Sequence, residues 1–159
     1  MNPVITGSAF KHFKIVDDGV MGGKSAGYFK INAKGNGEFY GHVSLENNGG
    51  FSSVRYQTTV HVNANTSIML HIKGDGKRYQ IRVKESADQK ESFVNYFTTS
   101  GAWQTVTIHL KDLYPKFRGK HLDSANFSGT KISEIGFLIG NKKAEPFNLE
   151  IAKIEFTTI

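Results

Sequence analysis

Apolar residues recur at every second position along most of this chain, while runs at helical spacing are almost absent. Period two places successive side chains on opposite faces of an extended strand, so each such run specifies a strand with one face toward a core and one toward water. Phe39, Gly41, Val43 and Leu45 alternate with Glu38, Tyr40, His42 and Ser44, and Ile68, Leu70 and Ile72 alternate with Met69, His71 and Lys73. Tyr79, Ile81 and Val83 stand against Gln80, Arg82 and Lys84; Gln104, Val106, Ile108 and Leu110 stand against Trp103, Thr105, Thr107 and His109. The stretch from Ile135 to Ile139 is apolar on both sides, as expected of a central strand covered twice. In the last strand the apolar set runs Phe147, Leu149, Ile151 and then Ile154, Phe156. That change of phase near Ala152 and Lys153 predicts a β-bulge.

Three glycine-rich strings punctuate these runs: Asp17 to Ser25, Asn47 to Arg55 and Lys73 to Tyr79. Each sets glycines, which enter positive φ without penalty, beside a carboxylate or amide able to bond backbone N–H groups, so each reads as a specified turn. Gly74-Asp75-Gly76 is expected to close a tight hairpin, making the strands that end at Ile72 and begin at Tyr79 antiparallel neighbours. Longer connections fall at Glu85 to Glu91 and Leu113 to Gly129, where the only helical candidates are short turns. The expectation is an all-β, two-sheet β-sandwich of about nine or ten strands. It forms a single domain over residues 1–159.

A chain of 159 residues buries about 70% of its unfolded surface, enough for a core without staples. The absence of cysteine excludes disulfides, thiolate metal sites and cysteine nucleophiles and is compatible with a reducing compartment. The formal charge of +6, from 20 Lys and Arg against 14 acids, is spread along the chain. A nucleic-acid footprint is clustered, so this diffuse excess argues against nucleic acid as the partner. Met1 to Lys14 lacks the basic start and apolar run of a secretory signal, and no stretch approaches the about 20 apolar residues of a bilayer span. The expectation is a soluble, cytoplasmic protein without a membrane span.

Gly22-Gly23-Lys24-Ser25 resembles the end of a phosphate-binding loop, but Asp18 stands where that loop needs glycine, and Ala26 to Ile31 reads as a strand without a helix dipole. His12, His42, His61, His71, His109 and His121 lack the spacing of zinc motifs, and most are expected to face solvent. Asp17, Asp18 and Asp75 are candidates for a calcium loop, with turn capping as the simpler role. No nucleophile elbow or metal-binding helix is present, and nothing pairs two of Glu38, Glu46, Glu134 and Glu150 as acid and base. The chain therefore reads as no enzyme, needing no cofactor and no metal. If the strands are neighbours as the turns suggest, His71, Gln80, Arg82, Trp103 and Thr105 share a polar face. Its single tryptophan suits a sugar ring or a protein partner.

The glycine strings, taken with Trp103-Gln104, Pro115 to Gly119, Ile135-Gly136-Phe137 and Pro146 to Ile151, resemble the complex I intermediate-associated protein 30 family from about Phe10 to Phe156. The resemblance implies a galactose-binding-like jelly roll and a non-enzymatic, chaperone-like role in assembling respiratory complex I through a protein partner. The chain departs from the pattern at Asp17, where Asn is usual, and at Glu145, where Gly usually precedes Pro-Phe. The chain is expected to be a bare domain without a mitochondrial leader, an expectation that puts the mitochondrial role in question. The matched positions that imply binding are Asp18, Met21, Asn48, Phe51, Arg55, Asp75, Arg78, Tyr79 and Arg118. Arg55, Arg78 and Arg118 are the donors best able to grip a carboxylate bidentately, whether Asp18 or Asp75 within the domain or a group on a partner. Met21 and Phe51 are expected to anchor a docking edge. The alternative is carbohydrate binding, with Trp103 stacking on the sugar while Arg82 and Gln80 supply hydrogen bonds.

Overall fold

A computed structural model describes residues 4–17, 25–46, 50–86, 88–117, 120–123 and 125–158. Thirteen strands lie among them: β1 (Val4–Thr6), β2 (Lys14–Asp17), β3 (Ala26–Ile31), β4 (Gly37–Val43), β5 (Ser52–His61), β6 (Thr66–Lys73), β7 (Arg78–Lys84), β8 (Ser92–Thr98), β9 (Trp103–His109), β10 (Tyr114–Phe117), β11 (Lys120–His121), β12 (Lys131–Ile139) and β13 (Glu145–Thr158). A six-stranded sheet runs β3-β4-β13-β6-β9, with β1 also paired to β13, and a seven-stranded sheet runs β11-β10-β8-β7-β12-β5-β2. The two enclose one hydrophobic core, so the sandwich expected from alternation is the observed fold.

The alternating sets bury as expected. Ile68, Leu70, Ile72, Tyr79 and Ile81 are fully buried, each worth about 1.5–3 kcal/mol of transfer free energy if aliphatic. A 3₁₀ segment at Gly7–His12 delivers Phe10 to this core. There Phe13 stacks on Phe29 at 5.0 Å and on Tyr56 at 4.7 Å. The bulge predicted near Ala152 is present as a register shift between Ile151 and Lys153, and it lets the long β13 keep its apolar side inward. Gly41, at φ +149°, lies opposite Gly27, and a Cβ there would come within 2.0 Å of the Ala26 carbonyl oxygen. No side chain fits that crossing.

Three expectations are corrected. The strand count exceeds nine or ten, partly because β10 and β11 lie within Leu113 to Gly129; they are too short for alternation to register. Gly74-Asp75-Gly76 closes no hairpin: β6 pairs with β9 and β13, whereas β7 pairs with β8 and β12, so the string carries the chain from one sheet to the other. β4 ends at Val43, and Leu45 is exposed rather than a core residue, because Ser44 donates its amide to the buried Ser25 Oγ and turns the chain away. The expectation for β12 holds: it is central, between β7 and β5, and from Ile135 to Ile139 it is buried on both sides, the outward-facing Gly136 and Leu138 included.

Candidate functional site

With Tyr79, Ile81 and Val83 in the core, strand alternation sends Arg78, Gln80, Arg82 and Lys84 to the outer face of the seven-stranded sheet. The register then aligns Lys14, Arg55, Gly136, Arg82, Val94 and Tyr114 in one row across six strands. Beside it lies a second row of Val16, Ser53, Leu138, Gln80 and Tyr96. By alternation seven basic residues of these strands, Lys14, Arg55, Arg78, Arg82, Lys84, Lys116 and Lys131, stand on this face with the carboxylate of Glu134.

Three features follow one another along this face. At the β2 and β5 end a cleft of about 520 Å³ is lined by His12, Lys14, Val16, Arg55, Tyr56, Gln57 and Glu134. Gln57 donates its amide to Glu134, which holds that carboxylate beside the cleft. In the middle, Arg55 and Arg82 flank the bare backbone of Gly136. Burial, and next the neighbouring charge of Arg55, push the Arg82 guanidinium down to about 10; Tyr96 and Glu134 oppose this more weakly. Arg82 is therefore still a cation at neutral pH. At the β8 and β10 end, Arg78 sits 4.3 Å over the Tyr96 ring, Lys116 donates to the Tyr96 hydroxyl at 2.6 Å, and Tyr114 is hydrogen-bonded to it. Burial resists ionisation of Tyr96, but Lys116 and Arg78 outweigh it and lower its pKa, whereas burial and Tyr96 raise that of Tyr114.

The residues singled out in the sequence divide between three places. Arg55, Arg78 and Arg82 converge on the outer face just described. Asp75 and Tyr79 belong to the crossover. The Asp75 carboxylate accepts from the Tyr79 hydroxyl at 2.9 Å, Lys77 Nζ at 3.2 Å and the Asn148 amide at 2.9 Å, so it ties the loop to β13, and among the described residues no arginine pairs with it. Burial, and then Asp75, raise the Tyr79 hydroxyl well beyond the ordinary phenol range. Phe51 is half-buried immediately before β5. Asp18, Met21, Asn48 and Arg118 lie outside the described residues, so the docking edge built on Met21 does too.

Trp103 lies elsewhere. It is 45% exposed on β9, opposite Lys73, with Thr105 and His71 on the outer face of the six-stranded sheet. Gln80 and Arg82 are on the other sheet, so the shared polar face expected for His71, Gln80, Arg82, Trp103 and Thr105 does not exist. The error follows from the crossover taken for a hairpin. Conversely, Tyr96, Tyr114, Gln57 and Gly136 join the site without having been singled out for it. The alternation of Val94 and Tyr96 against Phe93 and Phe97 was the available signal for β8. Among the described residues no three His, Asp or Glu gather as a metal cluster would, and no helix is long and apolar enough to cross a membrane.

The sequence profile of the family described as Complex I intermediate-associated protein 30 (CIA30) matches residues 5–151. Among solved structures, a Family 11 carbohydrate-binding module of the cellulosomal cellulase Lic26A-Cel5E of Clostridium thermocellum is similar at a TM-score of 0.65 and 15% identity, over 100% of this chain and 95% of that one. A low affinity xylan-binding module, CBM86 from Roseburia intestinalis, gives 0.61 at 12% identity, over 100% and 96%. An agarase, AgWH50C, gives 0.64 at 12% identity over 98% of this chain but 24% of its own. At such identities the likeness is one of fold.

Proposed function

This chain belongs to the complex I intermediate-associated protein 30 family, and we propose that it is a non-catalytic carbohydrate-binding module whose ligand lies across the outer face of the seven-stranded sheet. The observation that carries this reading is the continuous row from the cleft, through Arg55 and Arg82, to the Tyr96 and Tyr114 pair. A saccharide needs donors and acceptors for its hydroxyls and flat apolar area for its ring faces, and this row offers both. Crossing six strands, it spans about 24 Å at the usual strand spacing, room for several sugar rings. Whole-chain similarity to isolated sugar-binding modules supports the same reading.

A glycan array followed by affinity electrophoresis tests it. The expected result is saturable binding of an oligosaccharide, weakened about tenfold by Tyr96→Ala and unchanged by Trp103→Ala. Loss on Trp103→Ala with Tyr96→Ala neutral would move the site to the other sheet, and silence across the array would end the reading.

Family membership favours a second reading, chaperone-like assembly of a respiratory complex through a protein partner. Crosslinking in the native cell discriminates the two. Recovery of complex subunits supports assembly, and recovery of polysaccharide supports sugar binding.

A further inference from the structure

We propose that Arg55 and Arg82, on either side of Gly136, form an oxyanion subsite within that face, taking the carboxylate or sulfate ester of an acidic polysaccharide; this rests on the carbohydrate reading and narrows its ligand class. Two guanidiniums side by side repel, and burial of one adds a desolvation cost, so such a pair persists only where something compensates it. Tyr96 and Glu134 favour the Arg82 cation only at a distance, and among the described residues no group bonds to it directly. Arg82 Nε is buried without a hydrogen-bond partner. Neither arginine has a carboxylate within ion-pair distance, the described ion pairs being His71 with Glu155, Lys77 with Asp75 and Lys153 with Glu155. Glu134 is near, yet its charge acts on Arg82 less strongly than burial or Arg55 does.

The backbone supplies the shape. Between the arginines the register places Gly136, and a Cβ there would lie 2.4 Å from the Val54 carbonyl oxygen, so no side chain can fill the gap. What remains is a pit of about 10 Å³ whose lining includes Arg55, Arg82, Glu134 and Gly136 together with the apolar Val54 and Phe137. A site of that size holds about one water-sized atom, which admits an oxygen and excludes a sugar ring. A uronate or sulfated ring lying on the face would lower one oxygen between the two guanidiniums, in the charge-assisted geometry arginine favours. The ring itself would rest above, toward the cleft or the tyrosine pair. The excess of basic residues over Glu134 on this face is complementary to a polyanionic chain.

Isothermal titration of the full chain in about 0.15 M salt, where diffuse attraction is screened beyond about 8 Å, tests the subsite. The probes are oligogalacturonate, a sulfated galactan oligosaccharide, and neutral xylo- and mixed-linkage gluco-oligosaccharides. At least one acidic probe is expected to bind about tenfold or more tighter than the neutral ones. Arg82→Met and Arg55→Gln should each erase that preference, whereas Lys30→Gln, removing the same charge from the other sheet, should keep it. If Arg82→Met does not fold, Arg55→Gln, on the half-buried flank of the pit, carries the comparison. Neutral probes bound as tightly as acidic ones would overturn the subsite and leave the carbohydrate reading standing. A loss in Lys30→Gln equal to that in Arg82→Met would overturn it in favour of diffuse charge. Silence toward every probe would remove the carbohydrate reading and the subsite with it.

Discussion

On the outer face of the six-stranded sheet, Glu150 accepts amide hydrogen bonds from Asn32 at 2.8 Å and Asn36 at 2.9 Å, Asn148 donates to Glu38 at 2.8 Å, and Lys153 and His71 both close on Glu155. Across the sandwich, the outer face of the seven-stranded sheet holds Arg55 beside Arg82 with no carboxylate in contact, and Arg82 Nε is buried without a partner. The first face spends its polar groups on itself. The second leaves donors and an open cleft facing outward. Self-paired groups add to stability and have little left for a ligand, whereas a buried unpaired cation lowers stability until a ligand arrives. That asymmetry, more than the exposure of any aromatic residue, distinguishes the proposed binding face.

The largest test of this contrast is Gly136→Ala. Its Cβ would press on the Val54 carbonyl oxygen, a backbone atom that cannot rotate away, so overpacking should cost about 1–3 kcal/mol. Thermal melting reads the loss directly, and an unchanged midpoint would mean that β12 and β5 yield at the pit. Next in size is Glu150→Gln on the opposite face. Burial disfavours the Glu150 carboxylate, but hydrogen bonds from Asn36 and Asn32, aided by Lys34 and Lys73, hold its pKa below the usual carboxylate value. A depressed folded pKa means the contribution is fully present above the unfolded value and is lost as pH falls through the folded one. The variant should lose about 1 kcal/mol at neutral pH and show a flatter acid limb below about pH 4.5, followed by denaturant melts across that window.

Arg82→Met should move stability the other way. Replacing a half-buried guanidinium whose buried Nε lacks a partner by an apolar side chain of similar length is expected to raise the midpoint by roughly 2–4 °C, equivalent to about 1 kcal/mol. A fall instead would show that Arg82 is a structural group and that the two faces do not differ as argued. Smallest of all is Trp103→Ala. Its side chain stands 45% exposed at a sheet edge, so stability should stay within about 0.5 kcal/mol and saccharide affinity should not change.

Much of this is legible along the chain. Local alternation picks out the inward residues: Ile68, Leu70 and Ile72 are all buried, as are Tyr79, Ile81 and Val83. The bulge in β13 announced itself by a phase slip, because side-chain direction in a strand depends only on parity along the chain. The turn chemistry of Asp75 was also readable, since its amide and hydroxyl partners at Lys77 and Tyr79 lie within four residues. Trp103, Arg82 and Gln80 were misassembled for the complementary reason. Which polar faces coincide depends on pairings such as Arg82 with Gly136 and Gly136 with Arg55, contacts distant in sequence that alternation does not encode.

Sequence by itself therefore determined the class of fold and the inward side of the strands marked by alternation, properties of a few consecutive positions. Tertiary structure alone decided that Gly74-Asp75-Gly76 crosses between sheets, that Trp103 and Arg82 stand on opposite sides of the sandwich, and that two arginines meet over one glycine. The physical reason is that strand order is chosen by the packing of the whole core, which every local segment joins but none specifies.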